Sequence, residues 1–380
     1  MTKQLFVPAV LLSISLCVTS VEAKSYTDEI PRLHPYINTT EYLNSQSLHP
    51  NPDVKKIMYN SLYLTGYERE EVEAFRKVFI KGTYNALLRD SLEQAMELRL
   101  FVRKAIQNAG LPPELEYLPV VESYYKTTAK SRSGALGLWQ FMANSVKPFL
   151  ELNDFVDERL DPWKETYAAL NKLSDNYRMF NDWLLAIAAY NCGAGTMKRA
   201  LDKAEKKDFW YLCEKELLPK QTRDYVPKLL AIADLSINSD FYEADIPFHQ
   251  EEYETLYDEA NGIFDYINVD KPYSIKQLAQ EMRVDTQTLL YLNPSFIEGY
   301  THPTKESTIR LPKGTLESAQ TALEKIKPLE IPYKYKVVKG DTLWGISRKY
   351  KVSVKSICEL NNIKENAVLS IGKILYIPPK

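Results

Sequence analysis

Glu122 sits where a carboxyl group would be chemically useful. Leu118, Pro119, Val120 and Val121 precede it, and Tyr124 and Tyr125 follow. A carboxyl group packed among such side chains loses hydration, which disfavours its charged form and raises its pKa. A carboxylic acid kept neutral near pH 7 is what glycosidic cleavage needs, because the departing sugar oxygen must be protonated. The same residues also fit an amphipathic helix with one surface glutamate. A hydrolase of this kind normally needs a second carboxylate. Asp157, Glu158 and Asp161, in VDERLDP at 156–162, are the candidates, and helix capping or salt bridging explains them equally well. Trp183, Ile187 and Tyr190 recur at helical spacing, and Asn191-x-Gly193 then ends that helix. That places the Tyr190 hydroxyl at a helix end beside a loop. Core packing is the alternative for Tyr190 and for Trp139.

Other chemistries find less support. GxxxxGK[ST] and GxGxxG are both missing, which removes the usual nucleotide-binding signals. A net charge of −2 argues against a general nucleic-acid binder. His34, His49, His249 and His302 are scattered without metal-ligand spacing, so neither a metal, a cofactor nor a Ser-His-Asp arrangement is expected. Lys3, the apolar run Leu5 to Val18 and Val21-Glu22-Ala23 read as a signal peptide cleaved after Ala23. The rival there is a lipid anchor on Cys17. The run is too short to span a bilayer. The mature chain is therefore expected to be exported to the periplasm or cell envelope with no transmembrane helix, peripheral membrane association remaining open. Cys192, Cys213 and Cys358 are an odd number; Cys192 and Cys213 fit either a bridge or inert core thiols.

A chain of 380 residues, 45% apolar and 26% charged, suits two or three folded domains. From Asp53 to about Ser239 the pattern is helical almost throughout. Over 68–109, Val72, Phe75, Val78 and Phe79 share one face, followed by Leu92, Ala95, Met96, Val102 and Ile106. Residues 25–52 read as an extended arm, and 240–262 as an acidic boundary. Residues 264–313 switch to β-like runs around two short helices, with a small helix over 316–327 and a linker in KPLEIPYK. Residues 335–380 repeat the order strand, helix, helix, strand. Asp341 is expected to cap a helix with the face Leu343, Ile346 and Tyr350, and Ser353 a second one presenting Ile357 and Leu360. The two adjacent segments hint at a diverged internal repeat.

Glu122-Ser123, Gly134-Ala-x-Gly137-Leu138-Trp139-Gln140-Phe141-Met142 and Ala189-Tyr190-Asn191-Cys192-Gly193-Ala194-Gly195 occur in order. Together they resemble the Glu-Ser, Gly-Leu-x-Gln and Ala-Tyr-Asn-x-Gly blocks of the family 1 lytic transglycosylases, relatives of the goose-type lysozymes. TRDYVPKLL at 222–230 is similar to the D subgroup of the membrane-bound murein enzymes. Cys192 departs from the usual alanine. The resemblance implies a mainly α, lysozyme-like catalytic domain within the α+β superfamily, acting on peptidoglycan glycan strands. It implies Glu122 as the sole catalytic acid and base, Ser123, Ser131, Gln140 and Asn191 as substrate-contacting positions, and Tyr190 as the residue orienting the catalytic carboxyl and lining the substrate site.

The C-terminal segment, with Gly340-Asp341-Thr342-Leu343-Trp344, Asn361-Asn362 and a closing Ile-Pro, resembles a LysM carbohydrate-binding domain. That likeness implies a groove for N-acetylglucosamine units formed by the Gly340–Leu343 loop and the loop after Asn362. Lys336 to Lys380 carry nine Lys or Arg against three Asp or Glu, which suits an anionic wall polymer. The expected order is a signal peptide (1–23), an N-terminal arm with helices (24–95) and a lysozyme-like transglycosylase domain (96–240). A small α/β spacer with a degenerate LysM-like unit (241–330) and a βααβ LysM domain (333–379) follow. A muramidase on the same fold and a non-catalytic wall-binding protein are the competing readings.

Overall fold

A computed structural model describes residues 63–244, 246 and 264–379. The expected signal peptide, Cys17, the 25–52 arm and most of the acidic 240–262 stretch lie outside the described residues. The chain forms two units. The first contains 63–152 and 158–246; the second contains Asn153–Asp157 together with the residues from 264 onward. Among the described residues no helix is long and apolar enough to cross a membrane.

The first unit is helical. The periodic stretch over 68–109 divides into α1 (Glu70–Phe79), α2 (Gly82–Gln94) and α3 (Met96–Asn108). A 3₁₀ turn (Pro113–Tyr117) leads into the short α4 (Leu118–Ser123). Then come α5 (Pro162–Phe180), α6 (Trp183–Cys192), α7 (Ala194–Lys203), α8 (Phe209–Glu214), α9 (Lys220–Ile237) and α10 (Ser239–Tyr242). The aspartates before α5, α6 and α8 are true caps: Asp161, Asp182 and Asp208 each accept backbone N–H bonds from the first turn. Leu184 through Tyr190 are all buried, so α6 runs through the interior as its unbroken apolar sequence requires. α1 packs on α9, and Val72, Phe75 and Leu92 share one core with Ile187 and Leu230. The sequence boundary expected near residue 95 therefore does not divide the core, because the apolar faces of α1 and α2 close against helices later in the chain.

The second unit holds two βααβ modules in tandem. In the first, β1 (Phe264–Val269) pairs antiparallel with β2 (Ser307–Pro312), around α11 (Ile275–Met282) and α12 (Thr286–Leu292); α13 (Leu316–Lys325) follows. In the second, β3 (Tyr333–Lys336) pairs antiparallel with β4 (Ile374–Ile377), around α14 (Leu343–Tyr350) and α15 (Val354–Asn361). The repeat is one of hydrogen bonds more than of residues. Ser274 and Thr342 cap the first helix of each module; Asp285 and Ser353 cap the second. Asn293 accepts from the Arg310 amide and donates to the Leu289 and Arg310 carbonyls. Asn361 makes the same three bonds with Tyr376 and Ile357. Each asparagine thereby locks its second helix to its closing strand.

Three expectations change here. Thr342, not Asp341, caps α14; Asp341 instead accepts from the Tyr335 hydroxyl (2.8 Å) and the Val338 amide (2.8 Å), tightening the preceding turn. Leu360 is 42% exposed, so α15 buries Ile357 and Cys358 but not Leu360. The 96–240 stretch is also not one continuous domain. Phe155 and Val156 enter the core of the second unit with Ile275, Leu289 and Ile309, and Val156 bridges Phe296. Two adjacent large apolar residues in a loop must be buried somewhere, and this is where the chain buries them.

The first unit also depends on a buried charge network. Glu116 accepts from Arg99 (2.9 Å) and Arg103 (2.5 Å), with Arg99 fully buried. Glu116→Leu would leave Arg99 without its carboxylate in the interior. We expect a loss of about 3–5 kcal/mol in unfolding free energy, measured by urea denaturation; a loss within about 0.5 kcal/mol, the usual scatter of surface changes, would contradict the role.

Candidate active site

The site is assembled around the end of α4. This helix has six residues and stops at Tyr124 and Tyr125, both left-handed (φ 51° and 60°). Their amides close the helix end by bonding to Val120 and Pro119 carbonyls. Bulky residues in this region store strain, of order 1–3 kcal/mol each. Tyr125 is held there by its hydroxyl, which donates to the Glu116 carbonyl (2.6 Å). The Arg99 and Arg103 network thus fixes the turn directly after Glu122.

A second element, the Ala129–Phe141 loop, is clamped from several sides. Gly137 has φ +91°, and a Cβ there would meet the Arg159 carbonyl oxygen at 1.8 Å, so only glycine fits. Next to it, the Leu138 amide donates to Glu165 (2.6 Å), a carboxylate buried on α5. The Ser123 hydroxyl donates to the Leu138 carbonyl (2.8 Å), and the Tyr190 hydroxyl to the Trp139 carbonyl (2.9 Å). Trp139 is fully buried and its indole N–H donates to Thr166 (3.0 Å). Gln140, itself at φ 54°, donates its side-chain amide to the Ala129 and Gly137 carbonyls (both 2.9 Å).

Glu122 is half-buried and accepts a hydrogen bond from the Tyr225 hydroxyl of α9. Desolvation pushes its carboxyl up to about 7, against the hydrogen bond from Tyr225 and the positive charge of Lys172, which both pull it down. Tyr225 and Tyr190 are held well above the usual phenol range, first by burial and then by the Glu122 charge. Both therefore remain neutral donors at any working pH. The result is a carboxyl group poised to give up a proton and take it back near neutrality.

The residues singled out from sequence fall into different places. Glu122 stands as expected in an apolar setting. Tyr190 does not reach the carboxyl; its hydroxyl is committed to Trp139, and Tyr225 makes the contact assigned to it. Ser123 is buried, and its hydroxyl ties α4 to the loop. Gln140 spends its N–H groups on the loop backbone. Ser131 accepts from the Ala135 amide (2.9 Å) and lies 3.0 Å from Ser133, shaping the same hairpin. Asn191 accepts from the Thr222 hydroxyl (2.9 Å), which joins the end of α6 to α9. Of the candidate second acids, Asp161 caps α5, Glu158 pairs with Lys164 (2.5 Å), and Asp157 belongs to the second unit, its amide bonded to the Ser295 carbonyl.

In the C-terminal module, Asp341, Thr342, Leu343 and Trp344 face Glu365–Leu369 across a cavity of about 500 Å³. Trp344 is 66% exposed there, an unusual position for so large a ring. Gly340 (φ 91°) and Asn362 (φ 51°) set the turns leading into its two loops. Gly345 packs closely there: a Cβ would sit 3.2 Å from the Thr342 hydroxyl that caps the helix. The corresponding loops of the first module are bonded to each other instead. Ile275 donates to the Gly299 carbonyl (3.0 Å) and Thr301 to the Tyr273 carbonyl (3.1 Å).

Comparison with known proteins places these features. Residues 99–213 match the transglycosylase SLT domain, 263–328 the LysM-like domain of lytic transglycosylase MltD, and 335–378 the LysM domain. The chain is 26% identical over 349 residues to the membrane-bound lytic murein transglycosylase D of Escherichia coli K12, covering 87% of this chain and 74% of that one. A putative tributyltin chloride resistance protein of an Alteromonas strain is 34% identical over 109 residues, 28% of this chain and 53% of that protein. Among solved structures, an inactive mutant of lytic transglycosylase Slt from Pseudomonas aeruginosa matches with TM-score 0.34 and 22% identity, over 50% of this chain and 34% of that one. The 70 kDa soluble lytic transglycosylase of Escherichia coli matches with TM-score 0.34 and 18% identity, over 52% and 40%.

Residues 99–213 of the helical unit are thus a transglycosylase SLT domain. The chain joins it to an MltD-type LysM-like module and a LysM peptidoglycan-binding module, and is homologous to the D enzyme. Tyr225 lies beyond the matched SLT segment.

Tyr225→Phe removes the neutral donor that favours the Glu122 carboxylate. The Glu122 pKa should rise above 7, so the protonated acid survives to higher pH and the alkaline limb of kcat/KM moves upward. Turnover should fall roughly 10–100-fold, as loss of a charged hydrogen bond implies. An unmoved limb with full turnover would remove Tyr225 from the site.

Proposed function

We propose that this lytic transglycosylase cleaves the β-1,4 bond between N-acetylmuramic acid and N-acetylglucosamine in peptidoglycan, with Glu122 as its only acid and base. The observation that carries the reading is a half-buried carboxyl that accepts a hydrogen bond from the Tyr225 hydroxyl, in surroundings whose desolvation pushes its pKa up to about 7. Glu122 first gives its proton to the glycosidic oxygen, while the substrate's own acetamido group stabilises the positive anomeric carbon. The carboxylate left behind then takes the proton of the muramoyl C6 hydroxyl as that oxygen bonds to C1. The product carries a 1,6-anhydro end, and the enzyme returns protonated for the next turnover.

A muramidase would need a carboxylate for water or for a covalent intermediate. The groups acting on Glu122 are a phenol and an ammonium. The acids the sequence offered are engaged in capping, an ion pair or the other unit. The clamped loop and Tyr225 also weigh against a non-catalytic remnant, which would have no need to keep them.

The C-terminal module holds the enzyme on the polymer. Its open cavity and exposed Trp344 suit N-acetylglucosamine faces, whereas the loops of the first module, closed on each other, leave that module as a spacer. Export to the periplasm or envelope follows from the signal-like N-terminus and accords with the membrane-bound relative.

Glu122→Gln should abolish strand cleavage with an unchanged circular dichroism spectrum, since general acid–base catalysis contributes roughly 10²–10⁴-fold. Retention of more than about a tenth of wild-type activity would overturn the assignment. Deletion of 335–380 should weaken sedimentation with intact sacculi by roughly 10²-fold, while turnover of short soluble glycans stays nearly unchanged. Equal loss on both substrates would show that the module supports the catalytic fold instead.

A further inference from the structure

Lys172 has no assigned task, yet it is the one cation acting on Glu122 among the described residues. It lies on the middle of α5, a helix otherwise used for capping and core packing. Its ammonium sits 4.7 Å from the ring centre of Tyr190 and 5.2 Å from that of Phe141. Those rings meet edge to face at 6.2 Å. Phe141 ends the clamped loop, and Tyr190 holds that loop through Trp139. Among the described residues Lys172 forms no ion pair, so no surface acid draws it outward. Its flexible four-carbon stem is instead ordered by two aromatic faces.

We propose that Lys172 is a positioning residue for the reaction: its ammonium, seated against Tyr190 and Phe141, supplies the fixed positive charge that stabilises the carboxylate left on Glu122 between giving up its proton and recovering it. The inference rests on Glu122 being the acid and base. The charge balance makes the need plain. Protonation of the leaving oxygen creates an anion on Glu122 in a poorly hydrated place, alongside a positive anomeric carbon. Tyr225 can answer part of that negative charge with one dipole. A cation answers more, and without committing a proton to the reaction.

The groups facing Glu122 support this division. From α9 comes Tyr225, from α6 the neutral Tyr190, and from α5 Lys172; Tyr190 also feels the Glu165 charge on α5. Lys172 is itself shifted down, by desolvation first, while Glu122 pulls it back up. Each charge therefore favours the other.

The sign for the variant follows. Lys172→Met removes the cation, so the Glu122 carboxylate is less favoured and its proton is held more tightly. The alkaline limb of kcat/KM on a soluble glycan fragment should move up by about one pH unit. Its kcat should fall by up to about tenfold, since a more tightly held proton is a poorer acid. Lys172→Arg keeps the charge and the aromatic contacts and should keep the limb near wild type. A uniform loss across pH with an unmoved limb would overturn the proposal, leaving Lys172 a packing residue.

Should Lys172→Met fail to fold, Lys172→Gln serves, and a direct measurement stands beside both. The Glu122 carboxyl can be titrated by ¹³C NMR, assigned by difference against Glu122→Gln. An upward shift in Lys172→Met or Lys172→Gln that is absent from Lys172→Arg supports the proposal; titration equal to wild type in all three overturns it. This readout does not need turnover. If Glu122→Gln stays active, the acid–base reading falls by itself, and the carboxyl titration still reports whether Lys172 acts on Glu122.

Discussion

Keeping one carboxyl group poorly hydrated yet able to ionise is the constraint on which the rest of the structure depends. Burial alone would leave Glu122 protonated and useless as a base; full exposure would leave it ionised and useless as an acid. Opposed causes set its proton affinity: apolar surroundings push the pKa up to about 7, against Tyr225 and Lys172, which pull it down. These two come from separate helices, α9 and α5, so the value depends on tertiary packing. The internal α6 and the α1–α9 contact hold those helices in place.

The clamped loop shows how much structure one site consumes. Gly137 tolerates no side chain, Glu165 gathers the amides beyond it, and Ser123, Tyr190 and Thr166 bind the next two residues. Several side chains that resemble substrate contacts in the sequence are spent on backbone. A polar residue beside such a carboxyl can hold a loop at a fixed distance as well as touch a ligand. The same economy governs the tandem modules. Asn293 and Asn361 repeat a three-bond lock although few residues around them agree.

Local features were legible from sequence. Glu122 announced itself because its neighbours in the chain are also its neighbours in space. The two βααβ modules were readable because each closes over short spans with its own caps. Tyr225 was not, since it lies 103 residues from Glu122 and nothing in TRDYVPKLL says which way its hydroxyl points. Lys172 was equally silent: on a helix, one lysine looks like any solvated cation until Phe141 and Tyr190 are brought beneath it. Helical spacing placed the Tyr190 hydroxyl at a helix end beside a loop, where it bonds the Trp139 carbonyl; the role of orienting the carboxyl came from the family resemblance, and the hydroxyl bonded to Glu122 is that of Tyr225. The excursion of Phe155 and Val156 into the second unit was hidden because a loop's apolar pair gives no sign of which core receives it.

Whether Glu122 works alone is decided by what lies at the newly formed chain end. Mass spectrometry of strands cut by the purified protein distinguishes the outcomes, since anhydro and reducing ends differ by one water. Anhydro-muramoyl ends throughout are expected if the C6 hydroxyl is the only nucleophile and Glu122 serves twice. Reducing ends as the main product would contradict it, since water would then have taken the place of the C6 hydroxyl as nucleophile.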